Sequence, residues 1–275
     1  MEGRHNRLIF LGTGTSSGVP VVGCACRVCV SQDPRDQRTR ISALLQTRPS
    51  ENEAWESVLL DTSIDLRQQL LGEGSPLVTH VVYTHAHVDH FFGLDELRGV
   101  QFRTGRVIDL YGSEEVIDSL HRVYGHLFDS SVQQGGGILH VAVHGISARF
   151  RAGPAELETL PILHGTLPIQ GYRWGTLAYL TDCSRIHEAT WPLLEGLDTL
   201  VLGMLRKKPH PTHFNLDQAL EVVERLAPRK TYFVHMTHDL LHAETNAELP
   251  GGVELAYDGL RIDLDPFDPL RWQRG

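Results

Sequence analysis

The 275-residue chain has no apolar run of about eighteen residues, the length a helix needs to span a bilayer, so it offers no membrane crossing. Its opening residues, Met1 to Arg7, lack the apolar stretch of a secretory signal, which sets the expectation of a cytoplasmic protein. Basic charge is short too: 25 Lys and Arg stand against 34 Asp and Glu, a formal net charge of −9. A protein that tracks a nucleic-acid backbone needs a basic face, so a nucleic-acid partner is not expected. One small phosphorylated ligand needs only a local patch and stays compatible with this charge. There are four cysteines, and three of them crowd between Cys24 and Cys29. Without a secretory signal, that cluster points to metal binding in a reducing cytosol more than to disulfides. No linker or strong repeat divides the sequence, and 41% hydrophobic residues suffice for a sizeable core. Residues 1–275 therefore read as one domain.

What the chain does have is histidine, sixteen in all. The densest group, His85-Ala86-His87-Val88-Asp89-His90, follows directly on the apolar stretch Leu77 to Tyr83. Two histidines at i and i+2 on extended backbone point to the same side, so His85 and His87 can share one metal ion. Asp89 and His90 come as the chain turns and point elsewhere, toward a second ion. Imidazole and carboxylate are ligands for zinc, manganese or iron rather than for calcium. Generic loop composition does not produce this spacing.

Around that motif, short apolar strands alternate with helical stretches, which gives an α/β or α+β class. Strands are expected at Leu8–Leu11, Ala43–Thr47, Val58–Leu60, Val107–Tyr111, Leu157–Ile162, Leu177–Leu180, Thr199–Leu202 and Thr231–Val234. Helices are expected from Ser63 to Leu71, Gly93 to Phe102, Ser113 to about Tyr124, Ser184 to Leu194 and Asn215 to Leu226. Val132 to Gly137 reads as a loop and the last residues as a polar tail. Gly12, Gly14 and Gly18 follow a strand, but the third glycine falls one residue late for a dinucleotide loop and extended chain follows it. Their amides are expected instead to line the active site or to contact a substrate oxygen.

A binuclear site needs more than four ligands, and later strand ends offer His164, Asp182 and His235. The run from His85 to His90 resembles the HxHxDH signature of the metallo-β-lactamase superfamily, which uses His, Asp and His in that later order. The resemblance implies a four-layer αββα sandwich. It also implies one metal on His85, His87 and His164, a second on Asp89, His90 and His235, and Asp182 bridging them. Asp61 matches the superfamily's short acidic motif and is expected to orient a ligand histidine, although a simple turn aspartate fits it equally well.

Cys24, Cys26 and Cys29 lack a fourth ligand for tetrahedral zinc. Cys183 adjoins Asp182 and belongs on the other side, whereas His238, three residues after His235, can face away from the first two metals. CxCxxC near one end and HxxH near the other resemble the phosphodiesterases of phosphonate breakdown, which open phosphoribosyl 1,2-cyclic phosphate. That likeness implies a structural zinc on Cys24, Cys26, Cys29 and His238. It further implies hydrolysis of a small phosphodiester, cyclic in the family's manner, by water activated between two divalent ions (zinc, manganese or iron). His213 is the candidate acid for the leaving oxygen, with an imidazole pKa near neutrality. Arg206, Lys207 and Lys208 are candidates for a second phosphate, weighed against a solvated charge run. A homodimer is common for this type of fold. The rival readings are a tRNA 3′-processing nuclease, which would bring an RNA-binding arm and a basic surface, and a non-catalytic metal-binding accessory protein of quinone-cofactor biosynthesis. An oxygen reductase of the flavodiiron type needs a flavin domain for which the chain has no room.

Overall fold

The computed structural model describes residues 5–129, 131 and 137–264. The first sheet contains β1 (His5–Gly12), β2 (Ser42–Arg48), β3 (Glu56–Leu60), β4 (His80–Val82), β5 (Ile108–Gly112), β6 (Val141–Gly145) and, at its far edge beside β1, β15 (Arg261–Leu264). The second contains β7 (Arg149–Ala152), β8 (Ala155–His164), β9 (Leu167–Trp174), β10 (Leu177–Leu180), β11 (Arg185–Ile186), β12 (Thr199–Gly203), β13 (Lys230–Val234) and β14 (Val253–Leu255). In each sheet an antiparallel part runs into a parallel part: β3 to β6 in the first, β10 and β12 to β14 in the second. Among the described residues six α-helices complete the fold: α1 (Leu66–Gly72), α2 (Val88–Phe91), α3 (Arg98–Thr104), α4 (Glu114–Val123), α5 (Leu216–Leu226) and α6 (His242–Glu248).

Side-chain alternation explains how the layers stack. Leu8 and Phe10 of β1 join Leu45, Leu60, Tyr172, Tyr179, Val201 and Val234 in one core shared by both sheets. Their neighbours Ile9, Leu44 and Leu59 face outward and bury Leu66, Leu70, Phe91, Val116 and Leu120 of the helices over the first sheet. On the second sheet, Leu180, Leu200, Leu202 and Phe233 face Ala219 and Val222 of α5. Both faces of each sheet are covered, which is why the strands read as continuous apolar runs. The order helix, sheet, sheet, helix is the four-layer αββα arrangement.

Tertiary contacts shift three of the expected helices. The first starts at Leu66, not near Ser63, because Asp65 is drawn off to the Arg40 amide (2.9 Å) and guanidinium (2.8 Å), and Ser63 Oγ accepts from the Asp65 amide. The stretch from Gly93 splits into a 3-10 turn, Leu94–Leu97, and α3, which runs on to Thr104. Gly93 is tied to the β3 exit through its amide on Thr62 O (2.9 Å), and a Cβ there would meet Ser63 O at 1.9 Å. The segment from Ser184 pairs with β8 and so begins as a strand; a 3-10 helix, Glu188–Leu194, then accommodates Pro192. Helix α5 matches expectation, with Asn215 and Gln218 closing a reciprocal capping box. The polar tail from residue 265 and residues 132–136 of the expected loop lie outside the described residues. Among the described residues no helix is long and apolar enough to cross a membrane.

Candidate metal centres and active site

The candidate ligands arrive on strand exits, all at one end of the two sheets. Beyond β4 come His85 to His90; His164 ends β8, Asp182 lies two residues past β10, and His235 adjoins β13. Crevices at the carboxyl ends of parallel strands are where α/β sheets commonly bind ligands. Asp61, Asp182 and His235 sit at φ of 61°, 53° and 60°, left-handed backbone without a glycine. That conformation costs of order 1–3 kcal/mol per residue and clusters at functional sites. It breaks the strand alternation and turns the side chain toward the crevice.

Ligand atoms of His85, His87, His164 and Asp182 lie within 4.8 Å of one another, as do those of Asp89, His90 and His235. Asp182 is shared: it also groups with His213 and His235. Its Oδ1 lies 3.3 Å from His90 Nε2, and its Oδ2 lies 3.2 Å from His235 Nε2 and 4.0 Å from His85 Nε2. Asp89 Oδ2 lies 3.3 Å from His235 Nε2 and 3.5 Å from His90 Nε2. Metal–ligand bonds of about 2.0–2.2 Å place neighbouring ligand atoms roughly 3–3.5 Å apart. The buried Nε2 atoms of His85 and His90 have no hydrogen-bond partner despite those carboxylates. Orphaned donors aimed at a common point fit ions better than they fit a hydrogen-bonded network.

The remaining ring nitrogens are fixed from behind. His90 Nδ1 donates to Asp61 Oδ2 (2.7 Å), and Asp61 also accepts from the Thr84 amide (2.7 Å) and hydroxyl (2.8 Å). Asp61 is fully buried, so the plain turn reading fails and it sits where an orienting carboxylate belongs. His85 Nδ1 meets Thr84 Oγ1 (3.0 Å), and His164 Nδ1 donates to Thr212 O (2.7 Å). Burial pushes His85 well below the usual imidazole pKa. Burial also opposes charge on His90, but Asp182 and Asp61 outweigh it and hold that ring well above the usual value. Against burial, His235 and His90 hold Asp182 well below the carboxylate range.

His213 reaches the same crevice on the loop before α5. Its ring centroid is 4.4 Å from that of His164 and 4.8 Å from that of His235, with which it stacks. Burial, then His235, push its pKa down to about 3. The basic run before it does not form a clamp: Arg206 turns back onto Lys208 O and Pro209 O, and Lys207 pairs with Glu248. The glycine loop likewise departs from expectation. The amides of Thr13, Gly14, Thr15 and Gly18 are consumed by Asp258, Thr39, Met236 and Thr15, so they are not available to a substrate.

A second donor cluster joins distant parts of the chain. His238 Nδ1 lies 3.3 Å from Cys24 Sγ, 3.6 Å from Cys26 Sγ and 3.3 Å from Cys29 Sγ. Tetrahedral zinc, with bonds of about 2.3 Å to sulfur and 2.0–2.1 Å to nitrogen, sets such pairs roughly 3.6 Å apart. The Cys29 amide donates to Cys26 Sγ (3.5 Å) and holds that thiol down to about 6, whereas burial pushes Cys29 up to about 11. A coordinating thiol is deprotonated whatever its free pKa. Cys183 is buried in the outer core of the second sheet and joins neither cluster.

Residues 56–236 match the family model described as "Beta-lactamase superfamily domain". A structure described as a new diphosphatase from the PhnP family is 40% identical, at a TM-score of 0.87 over 96% of this chain and 99% of that one. The chain therefore belongs to the β-lactamase superfamily and, within it, to the PhnP family. Zinc-bound PqqB from Methylobacterium extorquens shares the fold at 19% identity, with a TM-score of 0.72 over 94% of this chain and all of that one. An octanoyltransferase of Porphyromonas gingivalis is 36% identical over 94% of this chain. This chain spans about half of that relative's length (52%), so the activity in its name stays with it. Family, fold and donor set together define a metal-dependent hydrolase.

Proposed function

We propose that the protein hydrolyses a phosphodiester bond in a small molecule. His85, His87 and His164 would hold one divalent ion, Asp89, His90 and His235 a second, with Asp182 between them. When bound, two such ions lower the pKa of an intervening water and draw charge from phosphate oxygens. The observation that carries this reading is the convergence of both donor groups on Asp182, with His213 against the same crevice. Thr84, Asp61 and Thr212 O keep the Nε2 atoms of three histidines turned inward. Asp89 would act at the second ion, its Oδ2 lying 3.3 Å from His235 Nε2. His213 would protonate the leaving oxygen; burial and His235 lower its pKa, so this role needs the negative charge of a bound phosphate to raise it again. Cys24, Cys26, Cys29 and His238 would hold a structural zinc.

The likeness to a PhnP-family diphosphatase favours a second reading, a diphosphate bond, cut by the same constellation. Turnover of bis-p-nitrophenyl phosphate, of 2′,3′-cyclic nucleotides and of a nucleoside diphosphate by protein reconstituted with manganese, zinc or iron separates the two. We expect the diesters to give the higher kcat/KM. A clear preference for the diphosphate would replace the first reading with the second, and tight metal binding without any turnover would favour an accessory role.

A further inference from the structure

The histidines that could hold the metals are not all fixed in the same way. His85, His90 and His164 each have Nδ1 engaged by a neighbour. His235 Nδ1 is buried without a hydrogen-bond partner, although a ligating histidine normally has one there. Its ring stacks on His213 and His90, so its aim depends on the backbone that follows it. That same backbone carries His238 to the three cysteines.

Residues 235–241 form neither helix nor strand, and they need outside partners to hold one shape. Arg38 supplies two: Nη1 donates to Thr237 O (3.1 Å) and Nη2 to Leu240 O (2.7 Å). Its side chain is fully buried, and its only ion-pair partner among the described residues is Asp36, at 3.3 Å. Asp36 in turn accepts from the His242 amide (2.7 Å) and from Ser31 Oγ (2.6 Å), just beyond Cys29. The Arg38 backbone pairs with Val19 in both directions at 2.8 Å, just ahead of the cysteine loop. Gly14 makes room for it, since a Cβ there would lie 2.6 Å from Arg38 O.

A buried ion pair adds little stability compared with an apolar side chain of similar size. An apolar chain cannot, however, donate two directed hydrogen bonds from one rigid plane. We propose that Arg38, seated by Asp36, positions His235 and His238 together and so couples the active-site metals to the structural zinc. The proposal rests on reading these donors as metal ligands, not on which bond the protein cuts.

The test uses the full chain as Arg38→Met and Arg38→Lys, with zinc affinity measured by competition against a chromogenic chelator, alongside Tm. Arg38→Met leaves Asp36 buried without its partner, so its Tm is expected to fall, and affinity is read at a temperature where the variant is folded. There it should bind zinc roughly 10–100-fold more weakly at both centres, the range seen when residues that orient metal ligands are lost. Lysine keeps the charge but cannot span both carbonyls, so it should restore affinity only in part. Parental affinity at both centres, or a loss confined to one, would overturn the coupling. If Arg38→Met does not fold, Arg38→Lys decides on the same readouts, with parental affinity overturning the proposal. A parent that binds zinc but turns over no phosphorus ester would refute the proposed reaction and leave this result standing.

Discussion

At the level of single residues, the site divides into groups that were readable one at a time and groups that were not. His85, His87, Asp89 and His90 declare themselves because their spacing alone aims them in two directions. Thr84 and Thr212 gave no such signal. One acts through a hydroxyl wedged between His85 and Asp61, the other through a main-chain carbonyl that every residue possesses. Arg38 was equally silent, since the oxygens it holds lie 199 and 202 residues away. His213 carries the clearest prediction at this scale. It touches the crevice without completing either principal ligand group, so His213→Ala should lower kcat by about 10²- to 10⁴-fold, the usual share of a general acid. Bound metal, measured on the same preparation, should be unchanged; loss of a metal equivalent would make it a ligand.

Among the elements, strand alternation and helix caps fix most of the architecture, and loops fix the chemistry. The α5 boundary was legible because Asn215 and Gln218 form a local cap. Asn215→Ala should cost about 1 kcal/mol, seen as a fall in Tm of roughly 2–4 °C in thermal melts. The break after Gly93 was not legible, because it follows from contact with Thr62 and Ser63 at the exit of β3, far earlier in the chain. The cysteine loop behaves differently again. Its own apolar contacts are few, chiefly Val19, Val28 and Cys29, so the proposed structural zinc would supply much of its order. Cys26→Ser should therefore lose one metal equivalent and lower Tm, and unchanged metal content with an unchanged melt would remove the structural zinc from the account.

Across the whole molecule, the two sheets share a core while their strand exits share a crevice, and the ends of the chain close on each other. β15 pairs with β1, and His238 meets the cysteines more than 200 residues earlier in the chain. The fold class was legible because apolar strands and amphipathic helices alternate along the sequence. Which strand ends meet was not, since it depends on how two sheets stack; only the resemblance supplied it for His164, Asp182 and His235. Asp182 stands where the whole arrangement meets, between the donors of both sheets. The most direct measurement is thus bis-p-nitrophenyl phosphate turnover and bound metal, determined together on the parent and on Asp182→Ala. Turnover and a metal pair beyond the Cys24–His238 zinc are expected in the parent, and abolished turnover with a depleted pair in the variant. Full activity in Asp182→Ala would contradict the two-metal site.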